Sequence, residues 1–189
     1  MLPKVVAGTI SQYRFVAFDV ETASGAAHSI CQVGLACVDH FGRIGTFSLL
    51  VNPRCAYSAF NTQLHGIHAG MTADAPDFRE VMAALLPLMA AQPIVQHSTF
   101  DQRAVNAAAA FLGLDEPPLV WVNSVTIARK AWPEWKGQGG HGLAHLKKQL
   151  GLEFKHHDAG EDARAAAQVV LLAEERLGRA LVERLVPKV

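Results

Sequence analysis

Two carboxylates spaced two residues apart close an apolar run, Phe15-Val16-Ala17-Phe18-Asp19-Val20-Glu21. Side chains on a strand alternate between faces, so Asp19 and Glu21 share one face. Phe15 to Phe18 are apolar on both faces, the pattern of a strand buried within a sheet. Charge at the end of such a strand is costly unless it is paired or binds metal. The reading adopted is that Asp19 and Glu21 hold divalent metal, and that Asp101 and Asp162 join them. The alternative is an exposed strand end with two solvated acids, and a lone Asp-x-Glu would favour it. Two later features decide against it: Asp101 at the mouth of a helix, in His97-Ser98-Thr99-Phe100-Asp101, and His157 with Asp162, five apart at the start of the last long helical pattern.

The elements that must position these residues follow from periodicity and turn chemistry. Strands are expected over 13–21, 30–38 and 43–51, with Asp39-His40-Phe41-Gly42 as the hairpin turn between the second and third. Residues 54–75 are expected to form a loop containing Leu64-His65-Gly66-Ile67-His68. Phe78, Val81, Met82, Leu85, Leu86 and Met89 recur at helical spacing, and Pro87 predicts a kink or an early stop there. A short strand over 93–97 leads to a helix over 100–112, capped by Ser98 or Thr99 and closed by Gly113. A fifth strand over 119–125, a short helix to Trp132, a Gly-rich loop over 134–140, a helix over 143–150 and an Ala-rich helix over 161–177 complete the pattern. A meander followed by alternating helix and strand implies an α/β domain with the first strand central.

Composition narrows the class. The chain has 189 residues, half of them hydrophobic and 18% charged, as in an ordinary globular protein. One domain over 1–189 is expected, with a lead-in over 1–12 and a tail over 178–189. No apolar run has transmembrane length, so no membrane contact is expected. The N-terminus lacks a signal-peptide pattern, which makes the cytoplasm the expected location. Cys31, Cys37 and Cys55 show no metal-site or disulfide spacing. With 17 basic and 17 acidic residues, the net charge of zero leaves no global electrostatic footprint for nucleic acid, so any such contact must be local.

The order and spacing of Asp19-Val20-Glu21-Thr22, His97-Ser98-Thr99-Phe100-Asp101 and His157-Asp158-Ala159-Gly160-Glu161-Asp162-Ala163 resemble the DEDDh 3′–5′ exonucleases. That group includes the proofreading epsilon subunit of bacterial DNA polymerase III, ribonuclease T and oligoribonuclease. His65-Gly66-Ile67 and Ala75-Pro76-Asp77-Phe78 also look like the family's middle region. The likeness runs from about Phe15 to Leu177. It implies a ribonuclease H-like fold, a mixed five-stranded sheet of order 3-2-1-4-5 flanked by helices. It also implies that Asp19, Glu21, Asp101 and Asp162 bind two Mg²⁺ or Mn²⁺ ions and that His157 is the general base. Elementary chemistry agrees: carboxylate oxygens suit hard cations, two such cations about 3.5–4 Å apart activate water and stabilise a leaving oxygen, and imidazole titrates near neutrality. His156, one residue off the motif spacing, reads as a loop residue.

By the same resemblance, Thr22 and Ala23 set backbone and a small side chain against the terminal nucleotide. His65 and Ile67 lie in the substrate-binding middle region, and Ile67 and Phe100 wedge or stack on the last base, with core packing as the alternative for both. His97 is either a satisfied strand-end histidine or a residue near the substrate phosphate. The implied activity is hydrolysis at 3′ ends of single-stranded nucleic acid, DNA ahead of RNA, with release of nucleoside 5′-monophosphates. A catalytically idle nucleic-acid-binding module is the non-enzymatic alternative. Relatives include dimers, which leaves a homodimer open. No polymerase-binding extension is evident after Leu177. Ser98 stands where many relatives carry Asn, and Asn123-Ser124 where many carry Asp-Thr; both bear on substrate preference.

Overall fold

A computed structural model describes residues 13–185 of the chain. The expected lead-in over 1–12 and the end of the expected tail, 186–189, lie outside the described residues. Strands β1 (Tyr13–Thr22), β2 (Ile30–Asp39) and β3 (Ile44–Leu50) form an antiparallel meander. β4 (Ile94–Gln96) pairs parallel to the other edge of β1, and β5 (Trp121–Asn123) pairs parallel to β4. The sheet order is β3-β2-β1-β4-β5, as the resemblance implied.

Alternation along β1 decides what its two acids face. Phe15 and Ala17 point into a cluster with α5 (Ser124–Ala131), α6 (Leu143–Leu150) and α7 (Ala159–Leu177), through Ile127, Leu146, Ala163, Ala166 and Val170. Val16, Phe18 and Val20 point the other way, onto α3 (Phe78–Met89) and α4 (Phe100–Phe111), through Val81, Leu85, Ala104 and Val105. Asp19 and Glu21 continue the first series, so both lie on the α7 face at the end of the central strand. Phe15, Phe18, Leu35 and Leu85 are fully buried. Burial of each such side chain contributes about 1.5–3 kcal/mol, and two packed faces of this kind can carry several ill-paired acids at one end.

Side-chain caps open α3, α5 and α7, whereas Thr99 at the N-cap of α4 makes no side-chain capping bond. Asp77 and Glu80 form a reciprocal capping box on α3. Pro87 lies in the last turn of α3, and the helix runs on to Met89 without an early stop. Asn123 caps α5 by accepting from the Val125 amide at 2.9 Å. α7 begins at Ala159, two residues ahead of the expected start, and Asp158 caps it by accepting from the amides of Gly160 and Glu161. The stretch expected to be a loop over 54–75 instead holds two short helices, α1 (Ala59–His65) and α2 (Ala69–Thr72). A 3-10 turn over Pro133–Trp135 precedes the Gly-rich segment, and α8 (Val182–Leu185) closes the described chain.

Candidate active site

The site lies where β1 ends and α7 begins. Oxygens of Asp19, Glu21 and Asp162 lie within 4.8 Å of one another. A close backbone approach makes this possible. Asp19 pairs across the sheet with Gly34 of β2, and a Cβ on Gly34 would sit 2.0 Å from the Ala159 carbonyl and 2.3 Å from the Gly160 nitrogen. The first turn of α7 therefore rests directly on the backbone of β2. Gln32 of β2 fixes it there, its Oε1 accepting from the Ala159 amide at 3.0 Å. Asp162, four residues beyond the cap, is thus carried onto the face of Asp19 and Glu21. Asp101 arrives from the first turn of α4 and accepts from the Val20 amide at 3.1 Å, between the two β1 acids.

Electrostatics mark the cluster as unfinished. Glu21, Asp101 and Asp162 are buried, and no lysine or arginine pairs with any of the four acids among the described residues. Burial, then repulsion from Asp162 and Asp101, pushes Glu21 up to about 8. Burial pushes Asp101 up to about 7 against the restraining Val20 hydrogen bond. Asp19 is raised well above the ordinary carboxylate range by burial and then by Asp101, Asp162 and Glu21. Burial also raises Asp162, offset in part by the hydrogen bond from His156. Like charges held together without a counterion are what a cation site looks like from the protein's side, and oxygen donors suit hard divalent ions. The residues fit such ions.

Both histidines of the 155–160 loop reach this cluster. His156 Nδ1 lies 2.8 Å from Asp162 Oδ1 and 3.0 Å from Oδ2. His157 gives its backbone amide to Asp162 Oδ2 at 2.9 Å and stacks its ring on His156 at 4.1 Å. Its φ of 66° is left-handed. Ring nitrogens of both residues lie within 4.8 Å of each other and of an Asp162 oxygen. Burial, followed by the neighbouring His156, lowers the pKa of His157, which favours the neutral, proton-accepting ring. His156 is therefore not the bystander that its place in the sequence suggested.

The remaining expected contacts divide. Thr22 and Ala23 are buried directly after Glu21. Phe100 is exposed at the start of α4, with the Arg103 guanidinium 5.9 Å over its ring. His65 departs from expectation. It is buried, its Nδ1 accepts from the Ile67 amide at 3.0 Å, and its Nε2 lies 3.1 Å from the Thr22 carbonyl. Both ring nitrogens are spent on backbone, so His65 positions Thr22 and offers a substrate no free donor. Ile67 is likewise buried, packed with Ala23 and Cys31. His97 is satisfied by Ser124 Oγ at 2.8 Å and the His141 carbonyl at 2.9 Å, yet also lines the groove. Burial depresses its pKa to about 4.

Three residues escaped the sequence reading. Asn61 donates to the Thr22 carbonyl at 2.9 Å. It lies one helical turn before His65 on α1, so the pair would have been visible had 54–75 been read as helix. Arg129 and His141 line the groove that opens over Asp19, Asp162 and His156, a cavity of about 470 Å³. Nothing in their local sequence announces this.

The profile of the RNase T family, described as an exonuclease, matches residues 16–170. A PolC-type DNA polymerase III of Caldanaerobacter subterraneus subsp. tengcongensis is 31% identical over 166 residues, which are 86% of this chain and 12% of that protein. Its counterpart in Streptococcus pneumoniae is 29% identical over 167 residues, 86% of this chain and 11% of that protein. The chain thus spans about a tenth of the length of these relatives. Exonuclease X bound to 5′-overhanging duplex DNA superposes with a TM-score of 0.73 at 24% identity, covering 91% of this chain and 97% of that one. The nuclease domain of 3′hExo, a DEDDh family member bound to rAMP, gives 0.73 at 20% identity, covering 90% and 96%. Among the described residues no helix is long and apolar enough to cross a membrane. The chain belongs to the RNase T exonuclease family, whose members work with divalent metal ions.

Proposed function

We propose that this exonuclease removes nucleotides one at a time from the 3′ end of single-stranded DNA and releases nucleoside 5′-monophosphates. The observation that carries the reading is the convergence of Asp19, Glu21 and Asp162 within 4.8 Å, with Glu21 and Asp162 buried and none of the three matched by lysine or arginine among the described residues. Asp19, Glu21, Asp101 and Asp162 would hold two Mg²⁺ or Mn²⁺ ions. Bound there, such ions supply an acidified water and charge neutralisation at the leaving 3′ oxygen. His157, neutral at physiological pH, accepts the proton released by the attacking water. Thr22, held from behind by Asn61 and His65, presents its backbone to the terminal nucleotide, and Phe100 offers a stacking face. DNA is favoured over RNA because the most similar relatives named above are DNA polymerases.

The test is a ladder assay. The chain is incubated with 5′-labelled DNA and RNA oligomers in Mg²⁺ or Mn²⁺, beside Asp19→Ala and an EDTA control. A single-nucleotide ladder, faster on DNA and absent from both controls, is expected. Faster degradation of RNA would reverse the substrate order. Binding of the oligomers with no ladder would leave a nucleic-acid-binding module in place of an enzyme.

A further inference from the structure

A second cavity, of about 480 Å³, adjoins the site groove and is lined by Arg129, Pro133, Lys136, Gly137, Gly140 and His141. It shares Arg129 and His141 with the groove over Asp19 and Asp162. The two spaces therefore meet at one arginine and one histidine. The basin is held in shape by its own loop. The amides of Gln138 and Gly140 donate to the Trp135 carbonyl at 3.0 and 3.2 Å, and His141 Nε2 lies 2.8 Å from the Trp132 carbonyl. Behind it, Trp132 and Trp135 stack at 5.2 Å.

Charge tells the two spaces apart. The site groove is acidic, and Arg129 is the one lysine or arginine among the described residues that lines it. The basin carries Arg129 and Lys136, both exposed and neither in an ion pair among the described residues. Both line one cavity, where a bound anion would meet two positive charges. A helix-dipole role would account for Arg129 in the last turn of α5 but not for Lys136, which lies outside any helix. The volume lies within the ~300–1,000 Å³ range of ligand sites.

We propose that this basin is a second nucleic-acid subsite, which takes the phosphodiester backbone of the strand on the 5′ side of the scissile bond. The proposal rests on the nuclease reading for what occupies the acid cluster. The scissile phosphate meets acids that bind cations, whereas the phosphates before it need positive charge from the protein itself, and Arg129 then Lys136 supply it along one continuous path. The enzyme is then one that grips a strand, not one that handles only dinucleotides.

The experiment compares the full chain with Arg129→Ala, Lys136→Ala and the double variant, all at exposed positions. Anisotropy of a fluorescein-labelled single-stranded 12-mer, without metal and over a range of KCl, reads binding apart from catalysis. kcat/KM on the 12-mer and on a dinucleotide, with Mn²⁺, reads the length dependence. The double variant is expected to bind the 12-mer at least about tenfold more weakly and to lose about 0.7 from the log–log salt slope for each phosphate contact removed. Its loss of kcat/KM on the 12-mer is expected to exceed its loss on the dinucleotide by about tenfold or more. An unchanged salt slope, or equal losses on both substrates, overturns the subsite. Basin-dependent binding by the wild-type chain without any ladder overturns the nuclease reading and leaves the subsite standing. A ladder whose length dependence survives in the double variant does the reverse.

Discussion

His156 and His157 touch the same carboxylate by different atoms, and that difference predicts different losses. His156 binds Asp162 through its ring, whereas His157 binds it through its backbone amide, which leaves the His157 ring to the general-base role proposed above. In His157→Ala the amide survives. Metal affinity should stay unchanged while kcat falls by about 10²–10⁴-fold, the share of a general base. In His156→Ala the partner that orients Asp162 is gone, and metal affinity should weaken by about 10–100-fold. Calorimetric titration with Mn²⁺ beside single-turnover kinetics separates the two, and exchanged phenotypes would reassign the base. Asp101→Asn probes the opposite balance. An asparagine oxygen can still accept from Val20, but one like charge leaves the cluster. The metal-free protein at pH 8 should gain about 1–2 kcal/mol, the discounted cost of one buried, unpaired carboxylate, while activity is lost. A destabilised Asp101→Asn would show that the hydrogen bond, not the repulsion, dominates at that position.

At the scale of elements, the site depends on how closely α7 lies on β2. Gly34→Ala places a methyl against the backbone of Ala159 and Gly160, where no side chain can swing aside. Overpacking of this kind costs about 1–3 kcal/mol, and relief requires the start of α7 to lift, taking Asp162 from Asp19. Denaturant unfolding should show the stability loss, and Mn²⁺ titration a parallel drop in affinity. A destabilised variant with full metal affinity would mean that the sheet, not the helix, gives way. This contact was invisible in the sequence, where Gly34 reads as one small residue inside a strand. The strands themselves were legible because β1 and β2 are long, apolar and bounded by turn residues, and α3, α4 and α7 because of the spacing of their apolar residues. The four acids were legible because each closes or opens a regular element. What escaped depended on tertiary contact. The helix α1 is too short to show periodicity, and its Asn61 and His65 earn their place only by reaching Thr22 across 39 and 43 residues of chain. His156 escaped for the same reason, since loop geometry alone decides that its ring, not that of His157, lies on Asp162.

For the whole molecule, the raised carboxylates tie folding to pH and to metal. Glu21 rises from 4.5 to about 8 and Asp101 from 3.8 to about 7 in the folded chain. Between pH 4 and 8 the unfolded chain has released protons that the folded chain still holds, so stability falls as pH rises through that window. Buried His97 acts in the other direction. With a folded pKa near 4 against an ordinary 6.5, it stays neutral while the unfolded chain takes up a proton, which lowers stability as pH falls below 6.5. Two raised carboxylates outweigh one depressed histidine, so the metal-free protein should lose stability on balance from about pH 5 upward and several degrees of Tm by pH 8.5, at roughly 2–4 °C for each kcal/mol in a chain of this size. Cations remove the repulsion that raises the carboxylates, and binding them displaces the retained protons. Mg²⁺ or Mn²⁺ should thus raise Tm little at pH 5.5 and progressively more toward pH 8.5, with proton release visible when calorimetry is repeated in buffers of different ionisation enthalpy. In Asp19→Asn the metal-induced rise should shrink across the range, because that substitution removes a carboxylate that both repels the others and joins the cation site. A Tm that climbs with pH in EDTA, or a metal effect independent of pH, would mean that the acids at the end of β1 are already balanced within the fold and await no cation.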